Sequence, residues 1–287
     1  MSTTILVIGA GGFTGRHLMA HLAANPARWR PVAGRNHGID LTDAVSIRRG
    51  LDAVKPDAVI NLAAIATLAV TDRDPIFQVN AFGVLNLLEA LAARHFTGRV
   101  ITASSAYIYG PVDDREPIPE GQPPRPHNLY ACAKVLAESF CAMYRDRLDV
   151  VVTRPFNAIG RGHRESFLVP KIVRHFRQRA AEIELGNIAV ARDYTDVRDI
   201  ARMYELLLAA QNPPEVLHLC NGTAVSIEAL IGELTRLTGQ HMDIKVNPAF
   251  IRPNDVLYQC GATDSLNALG FRWQYRLADT LGWMLDE

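Results

Sequence analysis

Ile5-Leu6-Val7-Ile8-Gly9-Ala10-Gly11-Gly12-Phe13-Thr14-Gly15 opens the chain after four residues. The first four residues of this stretch form a short apolar run that reads as a buried parallel strand, apolar on both faces. Residues 15–24 then read as a helix. Strand, glycine turn and helix in that order is the context a dinucleotide-binding turn requires. Gly9 is expected to allow the tight turn, Gly12 to let the backbone approach a pyrophosphate, and Gly15 to let the helix pack against the sheet. Phe13 and Thr14 stand at the helix start, whose dipole attracts phosphates. The spacing here is Gly-x-x-Gly-x-x-Gly.

Outward from this turn, strands are expected at 5–8, 31–33, 57–62, 98–103 and 149–153. Helices are expected at 15–24, 43–54, 76–94 and 128–147. The alternation predicts an α/β fold, a parallel sheet with helices on both faces. After the second strand comes Arg35, with no acid before Asp40. An arginine there accommodates the 2′-phosphate of NADP, where a carboxylate would take the ribose hydroxyls of NAD. NADPH is therefore favoured, with Asp40 and Leu41 placed to contact the adenine and NADH still open. Leu62, Ala63 and Ala64 lie at the carboxyl end of the third strand, where ligands of such sheets sit, and are expected on the nicotinamide side. From Pro155 the rhythm changes. The reading is a cofactor domain over 1–154, to which roughly 190–222 returns, and a smaller substrate-binding lobe over most of 155–287. In that lobe Ser226 is expected to start a helix and Gly239 to end one.

Thirty Lys and Arg balance thirty Asp and Glu among 287 residues. Without a basic stripe, nucleic acid is not an expected partner. No secretory signal precedes the first strand. The longest apolar stretch, 58–70, is too short for a membrane span of ~20 residues. Four scattered cysteines lack metal spacing and read as reduced packing residues. A cytoplasmic protein without metal or membrane partner is expected.

Ser104-Ser105 ends the fourth strand, and Tyr130-Ala131-Cys132-Ala133-Lys134 follows a proline-rich loop over 117–126. Residues i and i+4 share a helix face. Lys134 can therefore hold its charge beside Tyr130, and a nearby cation favours the ionised phenol. The expectation is that Lys134 lowers the Tyr130 pKa and holds the nicotinamide ribose. Tyr130 is the acid/base, and Ser105 orients the substrate oxygen. Asn80 reads either as support for the backbone beneath the site or as a helix-packing residue.

These motifs, with Asn61-Leu62-Ala63-Ala64 and Tyr109-Gly110, resemble the extended short-chain dehydrogenase/reductases acting on nucleotide sugars. The resemblance implies a Rossmann-type doubly wound sheet with a smaller C-terminal lobe. Arg154-Pro155-Phe156-Asn157-Ala158-Ile159-Gly160 is similar to a stretch of the members that handle GDP-6-deoxyhexoses. Ala158 stands where those have histidine, and Arg161-Gly162-His163 departs from their glycine-proline-glycine-glutamine-like residues. The resemblance implies NAD(P)H-dependent reduction of the C4 ketone of a GDP-4-dehydro-6-deoxyhexose, giving GDP-6-deoxy-D-mannose. It also implies Pro155 at the cofactor, Asn157 at the sugar diphosphate, and Arg192 and Arg252 as a diphosphate clamp. Asp255 would take a nucleoside hydroxyl, and Val169, Pro170 and Lys171 would line the nucleotide pocket. A homodimer is implied, with Val135, Leu136 and Phe140 available to its interface or to the core.

Related dehydratases carry a carboxylate close behind the active serine or threonine. Here Ala106 and Tyr107 follow Ser105, and no carboxylate comes before Asp113. That argues against 4,6-dehydration. A 4-epimerase, a 6-deoxy-D-talose product, a dTDP-, CDP- or UDP-linked substrate, and a non-catalytic NADP-sensing protein stay open at this point.

Overall fold

The computed structural model describes residues 2–66, 72–112, 115–251 and 256–287. The opening run forms β1 (Thr3–Ile8), and α1 (Phe13–Ala23) follows the glycine turn. Next come β2 (Trp29–Ala33), α2 (Ala44–Val54) and β3 (Ala58–Asn61). A helix over Arg73–Ala92 is α3 (Arg73–Phe77) and α4 (Gly83–Ala92), joined by a π-helical stretch, Gln78–Phe82. It starts three residues earlier than the apolar pattern suggests, because the Asp72 carboxylate caps the Asp74 amide. Then follow β4 (Arg99–Ala103), α5 (Leu129–Met143) and β5 (Asp149–Pro155).

Alternate residues of β1 enter opposite cores, as a period of two dictates. Ile5 and Val7 pack with Leu18 and Leu22 of α1, while Leu6 and Ile8 pack with Ile47 and Leu51 of α2 and Val84, Leu87 and Leu88 of α4. By length and composition the Arg73–Ala92 helix could cross a bilayer, and half of its apolar window is buried inside the protein. Apolar length in the sequence therefore lay in this helix as well as in 58–70.

The second half adds β6 (Asn157–Ile159), α6 (Leu168–Arg177), β7 (Glu182–Leu185), β8 (Ala191–Asp196), α7 (Val197–Ala209) and β9 (Val216–Leu219). It ends with β10 (Ala224–Ser226), α8 (Ile227–Thr238), β11 (Asp243–Val246), β12 (Tyr258–Gln259), α9 (Asp264–Ala268) and α10 (Leu277–Leu285). The main sheet is parallel throughout, in the order β2-β1-β3-β4-β5-β9. A smaller sheet runs β10-β8-β12, with β6 on β8, and β11 pairs β7. Its core joins Ile172, Val173 and Phe176 of α6 to Leu230, Ile231 and Leu234 of α8 and Leu281 and Met284 of α10.

Within 190–222, α7 and β9 rejoin the large sheet, whereas β8 belongs to the small one. Leu266 and Phe271 also pack on the large sheet's core. Ser226 caps α8 through the Ala229 amide at 3.0 Å, and Gly239 ends it with φ +68°.

Candidate active site

Chain order reverses across β1 and β3, the point where open α/β sheets leave a crevice at their carboxyl ends. Gly9 leaves β1 with φ +82°, and a Cβ there would stand 2.6 Å from the Ala63 amide nitrogen. A Cβ on Gly15 would stand 2.3 Å from the Gly9 carbonyl oxygen. Both contacts are with backbone, so no side chain fits. Gly12 donates its amide to the Gly9 carbonyl at 3.0 Å and stands at the N-cap of α1, where no side chain caps the helix. The amides of Phe13, Thr14 and Gly15 therefore face outward at a positive helix end, which suits a pyrophosphate.

The Arg35 guanidinium lies over this turn, 2.6 Å from where a Gly11 Cβ would be. The site thus offers a planar cation beside the phosphate-binding amides, and the residues fit NADP(H). Asp40 spends its carboxylate on the Thr42 amide and hydroxyl, both at 2.8 Å, and that bonding holds its pKa down. Leu41 is buried in the core below α2, and its carbonyl accepts from Asn86 at 2.9 Å. Their side chains are committed locally, so this stretch offers a cofactor its backbone.

Leu62 and Ala63 lie against the Gly9 turn, and Asn61 accepts from the Ala63 amide at 3.1 Å. Ala64 follows in the same extended segment. Asn80, fully buried in the π-helical stretch, grips the next backbone unit twice. It accepts from the Ile65 amide at 2.8 Å and donates to the Ile65 carbonyl at 3.0 Å. Of its two readings, backbone support is the one the geometry bears out. A π-bulge adds one residue to a turn and re-aims the side chains around it.

Ser105 leaves β4 in extended conformation, and its hydroxyl accepts from the Tyr107 amide at 3.2 Å. Asn128 caps α5 through the Ala131 amide at 2.8 Å, which sets the helix phase and puts Tyr130 in its first turn. Lys134 is 2 % exposed and donates from Nζ to the Ala103 carbonyl at 2.7 Å, at the very end of β4. Ser105, Tyr130 and Lys134 therefore meet at one strand terminus. Pro155 ends the neighbouring β5, opposite Leu219.

The electrostatics differ from the expected pattern. Burial pushes the Tyr130 hydroxyl up to about 12, against a hydrogen bond with Ser105 that favours ionisation. Burial pushes Lys134 down to about 8, with Cys141 and Glu138 acting the other way. The ammonium stands 5.9 Å from the Tyr130 ring centroid. The lowered phenol pKa expected from i,i+4 spacing is thus corrected, because desolvation of both groups outweighs their proximity. Tyr130 keeps its proton across the working pH range, which suits a proton donor. The supporting cation is what titrates. Below about pH 8 Lys134 is charged, and above it that charge beside Tyr130 is lost. We expect kcat/KM for ketone reduction to fall as pH rises through about 8. Lys134→Arg, which keeps its charge, should move that limb upward. A profile flat to pH 10 would remove Lys134 from this role.

In the second lobe Arg192 stands on β8, opposite Gln259 of β12, and its charge acts on Tyr194. Asn157 donates its side-chain amide to the Asp193 carbonyl at 3.2 Å. Lys171 donates to the Glu184 carbonyl at 2.8 Å and lies 5.2 Å from the centre of the Phe250 ring. Val169 is 3 % exposed and belongs to the small-sheet core. Pro170 is buried beside it. Arg252, Asp255 and Asp113 lie outside the described residues.

Two groupings were not anticipated. His163 stacks between Phe13 (4.1 Å) and Phe167 (4.4 Å), while Arg16 donates to the Gly162 carbonyl at 2.7 Å. The loop that departs from the family pattern thus clasps the glycine turn. Arg154 holds Glu138 through two hydrogen bonds, of 3.0 and 2.7 Å, one helical turn beyond Lys134. It also donates to the Tyr109 hydroxyl at 2.6 Å, which in turn donates to His218 Nε2 at 2.5 Å. The signal for the second was the i,i+4 step from Lys134 to Glu138. Stacking of 163 on 13 has no local signal.

Residues 5–220 match the model of the NAD dependent epimerase/dehydratase family, and the chain belongs to that family. It is 35% identical to GDP-6-deoxy-D-mannose reductase of Pseudomonas aeruginosa, over 99% of this chain and 92% of the relative. It is 30% identical to GDP-6-deoxy-D-talose 4-dehydrogenase of Aggregatibacter actinomycetemcomitans, over 94% of this chain and 92% of the relative. Its structure superposes on that of RMD from Pseudomonas aeruginosa, solved with NADPH, with TM-score 0.89 and 32% identity over 99% of this chain and 98% of the other.

Proposed function

We propose that this chain reduces the C4 ketone of GDP-4-dehydro-6-deoxy-D-mannose with NAD(P)H, giving GDP-6-deoxy-D-mannose. The reading is carried by the meeting of Ser105, Tyr130 and Lys134 beside the glycine turn, in a chain 35% identical to a GDP-6-deoxy-D-mannose reductase over nearly its whole length. Residues 9, 12–15, 35, 40–41, 62–64 and 155 would hold the cofactor. When bound, NADPH supplies the hydride for C4. Ser105 holds the carbonyl oxygen. Tyr130 gives its proton to the emerging alkoxide, and Lys134 stabilises the tyrosinate until solvent restores the proton. Asn157 and Arg192, with Arg252, would take the diphosphate, for which paired guanidinium forks are suited, while Val169 and Lys171 would line the nucleotide pocket and Asp255 would take a nucleoside hydroxyl.

We expect Arg35→Ala to weaken NADPH about ten- to hundredfold, the range for losing hydrogen bonds to a charged group, with NADH binding little changed. Fluorescence titration of both cofactors checks this, and equal weakening of both would show that Arg35 does not read the 2′-phosphate. We further infer a cytoplasmic homodimer, for which the exposed Phe82 of the π-helical stretch, 6.2 Å from Phe140 of α5 between ring centroids, offers an apolar contact. Light scattering tests the dimer.

The function itself is tested by loss of NADPH absorbance with GDP-4-dehydro-6-deoxy-D-mannose, the product being identified by NMR. Stoichiometric oxidation to GDP-6-deoxy-D-mannose is expected. A talo product would keep the chemistry and change the sugar's orientation. Absence of oxidation with this sugar would refute the substrate.

A further inference from the structure

Tyr107 takes no part in the chemistry above, yet its ring stands against that of Tyr130. It lies in the 3-10 turn Ala106–Tyr109, directly after Ser105. Its neighbours Ala106, Ile108 and Tyr109 are 2 %, 0 % and 0 % exposed, whereas Tyr107 is half-buried. One side chain of the turn therefore faces the cleft. Its ring meets that of Tyr130 edge-to-face, with centroids 6.3 Å apart and planes at 83°. Its amide fixes the Ser105 hydroxyl. No hydrogen bond engages its own hydroxyl among the described residues.

The turn is tied across the cleft as well. Gln259 of β12 donates to the Ala106 carbonyl at 2.9 Å, and Gln259 pairs with Arg192 in the β12–β8 register. The turn that carries Tyr107 thus joins the reacting end, Ser105 and Tyr130, to β12, whose Gln259 pairs with Arg192 on β8. In a nucleotide sugar those two ends are C4 and the anomeric diphosphate, and the hexose ring is what separates them.

We propose that Tyr107 is a sugar-contacting residue, its hydroxyl donating to the ring hydroxyl next to the C4 carbonyl and its ring limiting which face of C4 is presented. This rests on the reductase reading above. A buried phenol edge beside Tyr130 blocks rotation of the hexose about its long axis, while a hydrogen bond at O3 holds the favoured rotamer. Such discrimination comes from a polar group that only the correct orientation satisfies.

The test uses the full chain with Tyr107→Phe and Tyr107→Ala. For Tyr107→Phe, kcat/KM for GDP-4-dehydro-6-deoxy-D-mannose should fall about tenfold, while the inhibition constant of GDP, the NADPH Kd and the melting temperature stay unchanged. Tyr107→Ala should release a second C4 epimer, seen by NMR. A merely structural role would move GDP and NADPH binding together with the sugar. If the wild type reduces the sugar and both variants match it within twofold with one epimer, the inference is overturned and the reductase reading stands. If the wild type reduces no keto sugar nucleotide, both fall together.

Discussion

Tyr130→Phe retains NADPH binding and loses turnover by about 10²–10⁴-fold, the range for removing a positioned general acid. The magnitude follows from burial. The Tyr130 phenol, pushed up to about 12, holds a proton that an emerging alkoxide takes readily. Phenylalanine keeps the ring and its edge-to-face contact with Tyr107, so the fold and the cofactor seat should survive. Single-turnover NADPH oxidation, with cofactor Kd measured in parallel, separates the outcomes. Turnover within fivefold of wild type would mean that another donor reaches the alkoxide, and would send the search to Ser105. Lost turnover together with lost cofactor binding would mean that the ring itself builds the nicotinamide pocket.

Arg154→Met should cost about 3–5 kcal/mol, the penalty for leaving one partner of a buried ion pair unmatched. Arg154 and Glu138 side chains are 7% and 13% exposed, so water cannot replace the lost guanidinium. The melting temperature should drop by about 2–4 °C for each kcal/mol in a domain of this size. The damage is also placed to reach catalysis, because Glu138 sits one turn from Lys134 on α5. Adding Glu138→Gln to Arg154→Met should restore part of the stability, since the residual buried carboxylate is then neutral. A single variant as stable as wild type in chemical denaturation would show that the pair is solvated in solution.

Much of the site was legible before any coordinates. The glycine spacing needs only local backbone geometry, since Gly9 at φ +82° and the close approach of Gly15 are constraints that a single turn imposes. The i,i+4 step from Tyr130 to Lys134 is likewise local, and α5 delivers it. The alternation in β1 reported both faces of the sheet, because period-two burial follows from the pleat alone. Val169 lies beyond such local reading. The family resemblance implied it at the nucleotide pocket, and only the helix phase of α6 shows that its side chain packs in the small-sheet core. Arg35 illustrates the opposite case, in which the residue was named from its position and its contact with Gly11 came from a strand-to-strand neighbour.

By itself the sequence determined the parallel α/β architecture and the glycine turn and singled out Ser105, Tyr130 and Lys134 as one cluster, because each rests on spacing within one or two adjacent elements. Only the tertiary structure decided the charge states. Desolvation depends on what other elements cover a group, and it raised the Tyr130 phenol where spacing alone suggested a lowered one. The same holds for Tyr107 and for the His163 stack on Phe13. Their partners come from helices and strands tens to over a hundred residues away, and chain distance carries no record of that proximity.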